Sequence, residues 1–118
     1  MKLGLISAIL GDLSFEEMID FLAECGLECV EVACWPKGKA ERRYAGVSHI
    51  DVDTLDDEKC AHILDYCQKK GVEISSLAYY PNTMDPDVEK RTAYIEHLHK
   101  LIDASAKLGV NMITTFIG

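Results

Sequence analysis

Three glycines set the frame of this chain. Gly26, Gly71 and Gly109 each close an amphipathic stretch, and each stands just before a short apolar run. The runs are "KLGLI" (2–6), "ECVEVA" (28–33), "VEISSLA" (72–78) and "VNMITTFIG" (110–118). Glycine takes the left-handed conformation that ends a helix without a steric penalty, so the pattern reads as helix, stop, strand, three times over. The stretches between the runs carry helical spacing. Ser14 with Glu17 forms a capping box, followed by Phe15, Met18, Ile19, Leu22 and Cys25. Cys60, Ile63, Leu64 and Cys67 mark a second helix. Tyr94, Leu98, Leu101, Ile102, Ser105 and Leu108 mark a third, with Asp85-Pro86 suited to its start.

The resulting order, βαβαβαβ, calls for a parallel sheet joined by right-handed crossovers. An open doubly wound sheet and part of a (β/α)8 barrel both fit. The first loop, "SAILGDLS", has neither GxGxxG nor a Walker lysine, and the third strand ends in "AYY" without a phospho-acceptor acid. Those absences favour the barrel, in which 118 residues supply about half of the roughly 250 that eight units need. The expected fold is therefore α/β, a partial (β/α)8 TIM barrel with a four-stranded parallel sheet.

Charge and composition narrow the partners. A net charge of −8 disfavours nucleic acid, and no apolar run approaches the roughly 20 residues of a membrane span. The N-terminus lacks a cleavage site, and the five cysteines are an odd count, so a cytoplasmic chain with reduced thiols is expected. The fourth run is uncharged and apolar. As an edge strand it would promote a homo-oligomer through exposed sheet edges.

Taken in order and spacing, "GLECVEV", "SHIDVD", "GVEISSLAYYPNTMDPD" and "LGVNMITTFIG" resemble the N-terminal part of the sugar phosphate isomerase/epimerase family, the xylose-isomerase-like barrels. The likeness runs from "KLGLI" to "TTFIG". It implies that residues 1–118 are the N-terminal half of such a barrel: three βα units and the fourth strand. It also implies a sugar or sugar-phosphate substrate, and proton transfer beside a carbonyl through an enediolate. The divalent metal (Mn, Mg or Zn) would be held by Glu, Asp, His and Glu of later strands. Some relatives add a His after the third strand, where this chain has Tyr79-Tyr80-Pro81-Asn82. No metal ligand or principal catalytic group is thus expected here, and the chain alone is expected to be inactive. The alternative is a non-catalytic sugar-binding or self-assembling half-barrel.

In a barrel the chemistry gathers at the C-terminal ends of the strands. Val30 and Val32 suit the helix-facing side, so Glu31 should point inward, to orient substrate or to sit in a structural ion pair. "SHIDVD" puts His49, Asp51 and Asp53 on one side if the segment is extended; if it coils, it is an acidic lead-in to a helix. The basic loop Lys37, Lys39, Arg42 and Arg43, opposed only by Glu41, is a candidate anion-binding lid beside the sugar-stacking candidate Trp35. Its plainer reading is a solvated loop. Tyr79, Tyr80 and Asn82 offer neutral groups for sugar hydroxyls, or simply turn chemistry. His97 and His99 lie about 200° apart on a helix and cannot share a metal. His62 should be solvated, and the cysteines should act as small hydrophobes.

Overall fold

The computed structural model describes residues 1–38 and 44–118. Strand β1 (Gly4–Ile6) runs into a 3-10 turn (Ser7–Leu10). Then follow α1 (Phe15–Glu24), β2 (Cys29–Ala33), α2 (Asp57–Lys70), β3 (Glu73–Ala78), α3 (Val88–Leu108) and β4 (Ile113–Thr114). The strands lie in the order β1-β2-β3-β4, all parallel. Each strand pairs with the next one in the chain, so right-handed crossovers place all three helices on the same face. A doubly wound sheet reverses its strand order and covers both faces. This sheet does neither, and it is part of a TIM barrel wall.

The core lies between that face and the helices. Val30, Val32 and Leu77 from the sheet are fully buried against Met18, Ile19 and Leu22 of α1, Ile63 of α2 and Leu101 of α3. The helix ends follow the local code. Ser14 and Glu17 exchange two bonds of 3.1 Å, Asp56 accepts from the Lys59 N–H at 2.8 Å, and Gly71 and Gly109 close α2 and α3 at φ +71° and +66°.

Several details depart from the sequence pattern. Helix α3 starts at Val88, because Asp87 accepts from the Glu89 and Lys90 N–H groups while Asp85 is spent on the Asp87 N–H. Its buried stripe is His97, Leu101, Ala104 and Leu108; Ile102 is 51% exposed. Leu64 on α2 and Cys25 at the end of α1 are likewise exposed. The fourth run, 110–118, reads as one apolar strand at the sheet edge. Only Ile113 and Thr114 pair with β3, and Met112, Phe116 and Ile117 are exposed, because this strand has a neighbour on one side only.

Gly4 sets the spacing of the first two strands. A Cβ there would stand 2.2 Å from the Cys29 carbonyl oxygen and 2.6 Å from its Sγ. Backbone cannot rotate out of the way, so Gly4→Ala should lower stability by about 1–3 kcal/mol, read as a shift in the urea midpoint. An unchanged midpoint would mean that β1 can move off β2 at no cost.

Candidate functional site

The face of the sheet away from the helices carries a polar wall. A register shift after Val30 sets it up: Val30 pairs with Ile74, but Glu31 pairs with Ser76, so β3 carries one extra residue. Ser76 then stands opposite Glu31 and donates to its Oε2 at 3.0 Å. Two residues beyond the end of β3, Tyr80 returns to the same face and donates to Glu31 Oε1. Its phenol oxygen also lies 3.0 Å from Thr114 Oγ1 of β4. The Phe116 ring packs on Tyr80 with centroids 4.8 Å apart. Burial, reinforced by the bond to Glu31, raises the Tyr80 pKa, so the phenol keeps its proton. Three strands thus contribute to one hydrogen-bonded chain around one carboxylate. Among the described residues Glu31 makes no ion pair.

His49 lies elsewhere. It is 9% exposed and locks the first two loops together. Its backbone N–H reaches the Ala33 carbonyl at 2.9 Å, its Nδ1 lies 2.9 Å from Ser7 Oγ and its Nε2 lies 3.1 Å from the Leu10 carbonyl. A carbonyl can only accept, so Nε2 carries the proton and Nδ1 accepts from the Ser7 hydroxyl. Ser7 Oγ in turn accepts from the Ala33 N–H at 2.8 Å. Every polar atom of this buried knot has a partner.

The "SHIDVD" segment coils, so its three polar side chains part. Asp51 accepts from the Asp53 N–H at 3.1 Å and pairs with Lys37 at 3.4 Å, while Asp53 pairs with Lys100 of α3 at 2.7 Å. Burial pushes the Asp51 carboxyl up, but the Asp53 N–H, the Thr54 hydroxyl and Lys37 outweigh it and hold it below the usual range.

Tyr79 points to the opposite side from Tyr80. It is 1% exposed, packed edge-on between Trp35 at 4.9 Å and His97 at 4.7 Å. His97 donates from Nε2 to the Cys34 carbonyl at 2.8 Å, whereas His99 is exposed. Trp35 is half-buried in that aromatic group. Asn82 spends its side-chain oxygen on the Met84 N–H. Of the basic loop, Lys37 is exposed, and Lys39, Arg42 and Arg43 lie outside the described residues. His62 is exposed and pairs with Glu16 at 2.9 Å.

The wall therefore joins two residues that the sequence singles out, Glu31 by strand alternation and Tyr80 as a neutral group after the third strand, to three that it leaves unmarked: Ser76, Thr114 and Phe116. Ser7 was unmarked as well. Counting by twos back from Tyr80 reaches Ser76, but the pairing of Ser76 with Glu31 depends on the register shift. The described residues include no group of three or more His, Cys, Asp or Glu that could hold a metal ion, and both Glu31 oxygens are engaged by hydroxyls. This wall does not fit a divalent ion.

The His49 knot generates a pH dependence. Burial lowers the His49 pKa below its ordinary value near 6.5, against the raising effect of the Leu10 and Leu13 backbone. Below about pH 6.5 the unfolded chain binds a proton that the folded chain resists, so stability falls as pH falls through that window. Urea midpoints measured from neutral pH downward should show the slope. His49→Gln should remove it while costing stability at neutral pH; an unaltered slope in that variant would place its origin elsewhere.

Comparison with known proteins places this geometry. No curated protein sequence matches the chain. Solved structures do match. The D-psicose 3-epimerase of Clostridium cellulolyticum H10, determined with D-tagatose, aligns at TM-score 0.68 and 18% identity, over 98% of this chain and 37% of its own. The probable 3-DHS dehydratase AsbF of Bacillus anthracis aligns at 0.67 and 21%, over 100% and 39%. A xylose isomerase domain containing protein of Salmonella typhimurium LT2 aligns at 0.61 and 16%, over 95% and 35%. These likenesses establish the fold, and the chain spans well under half the length of each relative. A family described as Xylose isomerase-like TIM barrel matches residues 19–118. This chain, from the first helix to the fourth strand, belongs to the xylose isomerase-like TIM barrel family.

Proposed function

We propose that this chain supplies the substrate-orienting wall of a sugar or sugar-phosphate isomerase or epimerase. The observation that carries the reading is the Glu31 carboxylate, set on the inner face by the Ser76 and Tyr80 hydroxyls with no ion pair among the described residues. A half-buried carboxylate is costly unless donors surround it, and the remaining lone pairs of Glu31 suit substrate hydroxyls. Tyr80 and Ser76 hold the carboxylate, and Thr114 holds Tyr80. In this reading Trp35 and Asn82, at the ends of β2 and β3, would offer a ring edge and an amide to the substrate, with Tyr79 packed against Trp35. His49 keeps the first loop in place. Lys37, with Lys39, Arg42 and Arg43, would draw an anionic group toward the second loop. The divalent metal and the proton-transferring groups that the sequence resemblance implies belong, in this reading, to other parts of a full barrel.

Incubated with Mn²⁺ or Mg²⁺ and a panel of ketoses, the chain alone should show no turnover above buffer. The same ketoses in the millimolar range should shift the amide NMR signals of Ser76, Tyr80 and Thr114. Metal-dependent epimerisation by this chain would overturn the passive role. Silence at those amides would overturn the wall itself.

A second reading, self-assembly of half-barrels, is favoured by the outer sides of β1 and β4, which pair with nothing among the described residues. Ile117, 84% exposed, and Phe116 lie just past β4. Sedimentation at micromolar concentration should show association through these edges; a stable monomer would refute it.

A further inference from the structure

We propose that the inner wall is an acceptor-only surface that takes the hydroxyl-bearing, uncharged part of its ligand and turns anionic groups away. This rests on the substrate-wall reading above and adds a rule for which end of a ligand can lie there.

The rule follows from counting protons. Tyr80 has one hydroxyl proton and gives it to Glu31 Oε1. Its contact with Thr114 Oγ1 at 3.0 Å must then run the other way, with the Thr114 hydroxyl donating and the phenol oxygen accepting. Leu77 offers Thr114 a carbonyl at 3.5 Å, too long to compete. Ser76 gives its proton to Glu31 Oε2. All three hydroxyl protons therefore run toward a single carboxylate, Thr114 to Tyr80 to Glu31 from one side and Ser76 to Glu31 from the other. Such a chain polarises every member in the same direction.

What remains for a ligand is lone pairs: those left on the half-buried Glu31 and Thr114 Oγ1, since Ser76 is only 2% exposed and serves to hold Glu31. No described lysine or arginine pairs with Glu31 to reverse the sign of the surface. Lys2 is held by Glu73, Lys37 by Asp51 and Lys100 by Asp53. A carboxylate brings only acceptors at neutral pH, and a phosphate brings one or two negative charges with few O–H groups, so either would set like charge against Glu31 with no described cation between them. A polyol brings O–H donors. The Phe116 ring on Tyr80 adds an apolar edge for the C–H side of such a ligand. Where a ligand has both a polyol and an anionic end, the polyol lies on this wall and the anion points away from it.

The test uses NMR amide shifts of Glu31, Ser76, Tyr80 and Thr114 in the full chain, with three probes: D-fructose, D-gluconate and inorganic phosphate. D-Fructose should shift these signals, and phosphate should leave them unmoved. D-Gluconate should bind more weakly than D-fructose. In Glu31→Gln, where one oxygen becomes a donor, D-fructose affinity should fall about tenfold and the preference over D-gluconate should narrow. The retained amide spectrum of that variant reports that it folds. Phosphate shifting the four signals as strongly as D-fructose would overturn the polarity rule and leave the wall standing as a site. Silence from all three probes would remove the rule and the wall together.

Discussion

Pairing each strand with the next one in the chain, always in parallel, obliges every crossover to return on the same side of the sheet. The rest of this structure follows from that one-sidedness. Residues facing the helices must be apolar, and Val30, Val32 and Leu77 are fully buried there. Residues facing the other way escape that demand. Glu31, Ser76, Tyr80 and Thr114 occupy that face, where hydroxyls hold the carboxylate and no ion pair joins it among the described residues. The same rule in adjacent positions separates the two tyrosines: Tyr79 packs against α3, and Tyr80 joins the wall.

Two side-chain knots hold the ends of the strands. Ser7 and His49 tie the 3-10 turn after β1 to the end of β2. Trp35, Tyr79 and His97 tie the end of β2 to β3 and α3. Both use a histidine whose ring donates to a backbone carbonyl, so a loop group that would otherwise be buried without a partner is satisfied. Site residues are usually carried on loops above a rigid scaffold. Here the knots extend that rigidity into the loops after β1 and β2, and His49 fixes backbone there through Ser7, Leu10 and Ala33.

Much of this was legible in the sequence, because its signals are local. The capping box at Ser14, the glycine stops, the alternation that turns Glu31 inward and the parallel order all depend on residues within a few positions of one another. Local signals also misplaced some features. Ile102 keeps helical spacing with Leu98 and Ser105, yet the face of α3 that packs is centred one position away, on His97, Leu101 and Ala104. Asp85-Pro86 reads as a helix start, but Asp87 wins the free N–H groups. "SHIDVD" left an extended and a coiled form open, and it coils, with the Asp51 side chain accepting from the Asp53 N–H.

The sequence by itself determined the kinds, order and direction of the elements, the family, and the face to which Glu31 belongs. Only the tertiary structure decided which polar groups meet. Ser76 and Tyr80 lie 45 and 49 residues from Glu31, and Ser7 lies 42 from His49. Whether such groups touch depends on the register between strands, and here one extra residue in β3 shifts that register after Val30. No local period encodes the shift. It arises from packing the whole sheet against its helices at once, and with it come the partners of Glu31 and the direction of every proton on the wall.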